Sequence, residues 1–173
     1  MSIAIATLNE IRSFGSVTLS ALGSYLAAYA VGANNIGGQY LEPFRLPNCF
    51  DVSYPASLYI RILTATGTIV PSGQILLTTA WTRVLAAATI VDATFNYLWT
   101  PPAVWPANQP IRLLLDNGSG HTFDAHAFKS DDLIGIRHVR NGVSVLDTFL
   151  YTTITALALE LHYTSRCKVN CCP

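Results

Sequence analysis

Apolar side chains recur at every second position along much of this chain. In 57–63, Leu58, Ile60 and Ile62 share one side, while Tyr59, Arg61 and Leu63 take the other. In 75–83, Ile75, Leu77 and Trp81 oppose Thr78, Ala80 and Thr82. Phe95, Tyr97 and Trp99 interleave with Asn96 and Leu98, and Ile111, Leu113 and Leu115 interleave with Arg112 and Asp116. The longest case is 153–163, where Leu157, Leu159, Leu161 and Tyr163 oppose Ala156, Ala158, Glu160 and His162. A two-residue period suits a strand with one buried face, whereas a helix needs a period of 3.6.

The breaks between these runs agree. Pro43, Pro47, Pro55, Pro71-Ser72-Gly73, Pro101-Pro102, Pro106, Pro110, Asn117-Gly118 and Asn141-Gly142 fall where turns of an all-β fold belong. Asn117-Gly118-Ser119-Gly120 and Asn141-Gly142 are expected to supply positive-φ residues for tight turns. The pattern predicts an all-β, jelly-roll-like β-sandwich of about eight strands, with an N-terminal arm and a short C-terminal tail. Residues 1–40 form the arm or added strands, 41–164 the sandwich and 165–173 a cysteine-containing tail. Segment 17–33 reads two ways: Leu22, Tyr25, Leu26 and Tyr29 line one face of a helix, and Tyr25, Ala27 and Tyr29 alternate as in a strand.

Charge narrows the partners. Of the 173 residues 51% are hydrophobic and 12% charged, with ten basic residues balancing ten acidic ones. That apolar content excludes intrinsic disorder, and zero net charge gives no footprint for nucleic acid or an anionic membrane. So little charge suits a chain whose surface is largely covered by something else. Met1 is followed by no basic region, and Glu10 interrupts the stretch a secretion signal would keep apolar. Residues 14–41 carry no charge but are too rich in Ser, Thr, Asn, Gln and Gly for a membrane span. The four cysteines, Cys49, Cys167, Cys171 and Cys172, make no disulfide framework, so reduced thiols and cytoplasmic synthesis are expected. Cys167, Cys171 and Cys172 are candidates for crosslinks between subunits.

Reactive motifs are scarce. His121, Asp124 and His126 cluster near Asp131-Asp132, yet His121 and His126 are an odd number apart and would leave a strand on opposite faces. The segment reads as a polar loop, with neither the spacing of a calcium loop nor a metal site. No Gly-x-Ser-x-Gly, P-loop, dinucleotide fingerprint or His-Glu-x-x-His occurs, so no enzyme and no cofactor are expected. Tyr97, Trp99 and Trp105, flanking Pro101-Pro102 and Pro106, offer a ledge on which sugar rings could stack.

Several segments carry a resemblance. Phe44-Arg45-Leu46-Pro47, Asp51 and the strand from Ser57 to Leu63 resemble the opening of single jelly-roll virion proteins of tailed bacteriophages. The stretch from Asp132 to Gly142 with Arg137 and Arg140, then Leu146-Asp147-Thr148-Phe149, then Ile154 to Tyr163, is similar to that family's ending. Ser130-Asp131-Asp132 stands where a Gly-Asp turn is usual. The resemblance spans 44–163 and brings no catalytic residues. As structural anchors, Arg137 and Arg140 are placed to pair with Asp132 or Asp147, and Tyr163 to cap the core.

The family implies a virion component, typically a capsid decoration (cement) protein or a fibre module. The first reading is a decoration protein on the virion surface, a homotrimer bound to the major capsid protein. The charge balance adds no nucleic acid or membrane partner. The arm residues Leu19, Leu22, Tyr25, Leu26 and Tyr29 are then the expected capsid or subunit interface. The alternative is a receptor- or glycan-binding module of a head or tail fibre.

Overall fold

A computed structural model of the chain describes residues 2–8, 10–15, 17–22, 26–32, 35–41, 43–46, 49–64, 72–84, 90–106, 109–129, 132–149 and 153–166. Its elements are strands: β1 (Ser2–Leu8), β2 (Glu10–Gly15), β3 (Val17–Leu22), β4 (Leu26–Gly32), β5 (Ile36–Leu41), β6 (Phe44–Arg45), β7 (Ser57–Thr64), β8 (Ile75–Val84), β9 (Ile90–Trp99), β10 (Ile111–Leu114), β11 (Leu133–Asn141) and β12 (Thr153–Ser165). Among the described residues there is no helix long and apolar enough to cross a membrane.

The strands form two antiparallel six-stranded sheets. One runs β10-β7-β12-β4-β3 with β1 also on β12; the other runs β2-β5-β11-β8-β9 with β6 also on β11. The chain repeatedly crosses from one sheet to the other, which makes a jelly-roll-like sandwich. Within segment 17–33 the described residues are two paired strands, β3 and β4, with Leu19 opposite Tyr29 and Leu22 opposite Leu26. Residues 2–41 supply five strands in all, and β1, β4 and β5 pair with β12, β12 and β11.

The two late strands are the scaffold. One edge of β12 lies along β7 from Ile154 to His162. Its other edge is shared end to end, by β4 at 153–156 and by β1 at 159–165. On β11, β8 covers one edge, while β6 and β5 divide the other.

Burial follows the alternation. Leu58, Ile60, Ile62, Ile75, Leu77, Trp99, Leu113, Leu115, Leu159, Leu161 and Tyr163 all enter the core. The loop between β10 and β11 turns inward and plugs one end of the sandwich. Thr122 Oγ1 accepts from the Leu58 N–H (2.7 Å) and donates to the Leu115 carbonyl (2.6 Å), and Ala56 bridges to Phe123. Phe123 and Phe128 then meet edge-on at 4.7 Å, with Trp81 packed edge-on against both. Phe50 stacks on Tyr163 at 5.2 Å, so Tyr163 is a buried core residue at this end.

Turn chemistry differs in one place from the sequence expectation. Gly118 and Gly120 do adopt positive φ, and both donate N–H bonds of 2.8 Å to Asp116 Oδ1. Gly142 does not; that turn is closed by Ser144 N–H to the Asn141 carbonyl (3.2 Å) instead. Gly38 is needed for a different reason: a Cβ there would lie 2.0 Å from the His138 carbonyl oxygen of the neighbouring strand.

Candidate functional site

The polar residues most suggestive of chemistry do not converge. In the 115–129 loop, His121 Nε2 lies 2.6 Å from Asp124 Oδ1, and Asn117 Nδ2 donates to the same oxygen at 3.4 Å. These hydrogen bonds, His121 first, hold the Asp124 carboxyl below its usual pKa. His126 stands apart, exposed and at φ 62°. Asp132 is buried and committed elsewhere: its Oδ2 accepts the Lys129 N–H at 2.8 Å and lies 3.6 Å from Arg83 Nη1. Asp131 lies outside the described residues. Among the described residues no three His, Cys, Asp or Glu side chains gather where a metal could be held.

A second polar group sits on the outer face of the β7–β12 sheet. Glu160 joins Arg61 Nε at 2.5 Å and His162 Nε2 at 3.1 Å. Burial works against its charge, but the bonds from Arg61 and His162 outweigh it and lower the carboxyl pKa. Tyr59 packs on the His162 ring at 4.5 Å, and Arg112 lies over Tyr59 at 4.9 Å. Arg61 and Glu160 pair across the neighbouring strands β7 and β12, while His162 reaches Glu160 along β12 itself.

The aromatic ledge is absent as a surface. Trp105 is fully buried and donates its indole N–H to the Gln109 carbonyl at 3.2 Å. Trp99 is buried too and meets Trp105 edge-on at 5.6 Å, while Tyr97 packs against the core. Tyr97 and Trp99 follow the alternation of β9, and Trp105, beyond the end of that strand, packs edge-on against Trp99 to close the core beside it.

Arg140 and Asp147 come together, with Arg140 Nε–Oδ2 and Nη2–Oδ1 distances of 3.1 and 2.9 Å. Arg140 also donates to the Val31 and Phe149 carbonyls. Arg137 is on the opposite, outer face of β11. Leu19 and Leu22 lie on β3, and Leu26 and Tyr29 on β4; Tyr25 lies outside the described residues. Cys49 is disulfide-bonded, contrary to the expectation of reduced thiols. The chain's other cysteines, Cys167, Cys171 and Cys172, are outside the described residues. The missed signal was positional: Cys49 accepts the Arg166 N–H at 2.7 Å, which puts it beside the start of the cysteine tail.

What the described surface does offer is apolar. On β1 the small residues Ala4 and Ala6 pack against the core, while Ile3 and Ile5 are 77% and 58% exposed. In the turn after β11, Val143, Val145 and Leu146 project outward, Val145 being 91% exposed. Beside that turn, on the outer face of β5, β8, β9 and β11, lies a shallow depression of about 290 Å³ lined by Ile36, Thr78, Ala80, Thr94, Val139 and Asn141, with the charged Arg137 also in its wall. It exists because small side chains meet in register: Val139 lies opposite Thr78 on one flank and Gly38 on the other, and Ala80 lies opposite Thr94. Sequence reasoning used Leu146 only within the resemblance and passed over Val143 and Val145; the available signal was three apolar residues in a turn, where polar ones are usual.

No protein-family model matches the chain, and no curated protein does. Among solved structures, TmCBM61 in complex with β-1,4-galactotriose aligns over 88% of each chain at 7% identity and a TM-score of 0.42. A structure of carbohydrate-binding modules from the β-sandwich superfamily aligns over 92% of this chain and 56% of that one, at 10% identity and a TM-score of 0.38. One of infectious bursal disease virus, Gt strain, aligns over 94% of this chain and 33% of that one, at 9% identity and a TM-score of 0.35. The sandwich assignment stands on the two sheets of the chain itself.

Proposed function

We propose that this chain is a structural virion protein: a decoration (cement) protein that binds the outside of a phage head, contacts the major capsid protein and assembles as a homotrimer. In this reading it is synthesised in the host cytoplasm, performs no catalysis and uses no cofactor. The observation that carries it is the inverted pattern of β1. A strand that met only solvent on its outer face would direct Ile3 and Ile5 inward and Ala4 and Ala6 outward. Here the large side chains are turned out, on a strand fixed to β12 over seven residue pairs. Rigidly held isoleucines of this kind suit a surface covered in use, since burial returns about 25 cal/mol per Å² of apolar area. The sequence resemblance to jelly-roll virion proteins supports the same reading. Burial of Trp99 and Trp105 weighs against the fibre alternative, which wanted them exposed for sugar stacking.

Copy number per purified particle, measured by quantitative mass spectrometry against the major capsid protein, tests the proposal. A fixed ratio with many copies per shell is expected. A few copies per particle would overturn it and return attention to a fibre or vertex role with glycan binding.

A further inference from the structure

The outer face of the first sheet carries an electrostatic misfit. Arg112 on β10 stands directly opposite Arg61 on β7, and both residues are exposed. Like charges opposed across paired strands repel each other, and a carboxylate between them removes the repulsion. Glu160 is the acid at hand, but it is already committed to Arg61 Nε at 2.5 Å and His162 Nε2 at 3.1 Å. Arg112 lies instead over the Tyr59 ring at 4.9 Å, and among the described residues it has no ion pair.

Register joins this cation to the apolar strand. Leu114, Tyr59, Glu160 and Thr7 form one row across β10, β7, β12 and β1. In the next row on the same face Ile5 stands opposite His162, and beyond it Ile3 stands opposite Thr164. The face thus runs from a guanidinium stacked on Tyr59 to two exposed isoleucines, across three strand spacings or roughly 14 Å. That span fits a protein surface rather than a small molecule.

We propose that this face docks a partner protein through a side-chain carboxylate seated on Arg112 beside Arg61, with apolar side chains of the partner over Ile3 and Ile5. The carboxylate relieves the opposed guanidinium pair, so charge complementarity is built into the bare face. Stacking on Tyr59 restrains Arg112 beforehand, which lowers the ordering cost of binding. Two guanidiniums on a chain of zero net charge are too few to grip nucleic acid or an anionic membrane. The isoleucines beside them call for apolar contacts, which a protein surface supplies. Which protein is met rests on the proposed shell contact; what the face recognises rests on register and charge alone.

The test is binding of the full chain to phage particles that lack it, with Arg112→Glu as the variant. Charge reversal should weaken binding by about tenfold or more. Lys129→Glu, the same change at an exposed loop residue outside these rows, should alter it by less than about twofold. Arg112→Glu also sets a carboxylate opposite Arg61, so the isolated variant should melt no lower than the wild type. A Tm several degrees lower would assign Arg112 to the fold and overturn the inference. A folded Arg112→Glu that binds particles as the wild type does would overturn it too, and would leave the proposed function standing. Nuclear magnetic resonance titration with acetyl-Leu-Glu-Leu-Glu-Leu-amide tests the face without particles. Shifts should appear at the Ile3 and Ile5 methyls and at Arg112 Nε–H, and should vanish when Gln replaces Glu in the peptide. These shifts without particle binding would remove the shell reading and keep the docking face. Neither shifts nor binding would remove both.

Discussion

Arg140 and Asp147 form a two-pronged ion pair whose side chains are only 3% and 1% exposed. They are seven residues apart, at opposite ends of the turn that projects Val145, and Asp147 also accepts the Leu76 N–H at 3.1 Å. The Arg140 guanidinium, 5.5 Å from the Phe149 ring, is fully committed among its partners. Removing one member of such a pair strands the other charge in a site without water. Asp147→Ala should therefore destabilise the fold by about 3–5 kcal/mol in urea denaturation. Arg140→Met combined with Asp147→Asn should recover part of that loss, because the amide oxygen still accepts from Leu76. A loss under about 1 kcal/mol for Asp147→Ala would show that the pair is solvated.

His138 should set a pH dependence. It is fully buried beside Thr79, whose Oγ1 lies 3.2 Å from its Nδ1, and burial pushes the imidazole pKa down from 6.5 to about 4. The unfolded chain binds a proton near 6.5, so between that pH and about 4 the unfolded state carries more protons than the folded one. The contribution is present in full above 6.5 and is lost as pH falls towards about 4, by on the order of 3 kcal/mol in total. Chemical denaturation across this window should show the slope, and His138→Leu should flatten it whatever it does to absolute stability. An identical slope in the variant would assign the effect to other groups.

The Cys49 disulfide gives a covalent test. Peptide mapping under non-reducing conditions should recover Cys49 joined to a peptide from the cysteine-containing tail. Cys49→Ser should lower stability by about 2–4 kcal/mol, and a reductant should do the same to the wild type. Free Cys49 in protein taken from particles would reject the bond.

Ile3→Ser with Ile5→Ser should separate binding from folding. Both side chains are mostly in solvent, so each change should cost the isolated protein about 0.5 kcal/mol or less. Occupancy on particles should nevertheless fall. Unchanged occupancy would exclude the outer face of β1 as the contact with the shell.

Much of the sandwich was legible because alternation is local. The inward sets Leu58-Ile60-Ile62 and Leu159-Leu161-Tyr163 follow from strand geometry and a single buried face. Segment 17–33 was ambiguous because Leu22, Tyr25, Leu26 and Tyr29 satisfy a helical period as well, and the pairing of β4 with β3 and β12 decides between them. The aromatic ledge failed for the opposite reason. Trp99 and Trp105 sit next to prolines, which reads as surface, yet they fold inward onto each other. The depression could not have been read from sequence at all, since Gly38, Thr78 and Val139 meet only through register between strands far apart in the chain.

The arrangement around β12 also governs when the molecule can acquire its shape. β12 is the last strand in sequence, yet β7, β4 and β1 all hydrogen-bond to it. During translation β1, β4 and β7 emerge without their shared neighbour and expose unpaired edges until it arrives. Within the first sheet β3 can pair with β4 and β10 with β7 beforehand, but these parts have no shared neighbour until β12 is made. A nascent chain stalled before Thr153 therefore lacks the strand around which that sheet is organised.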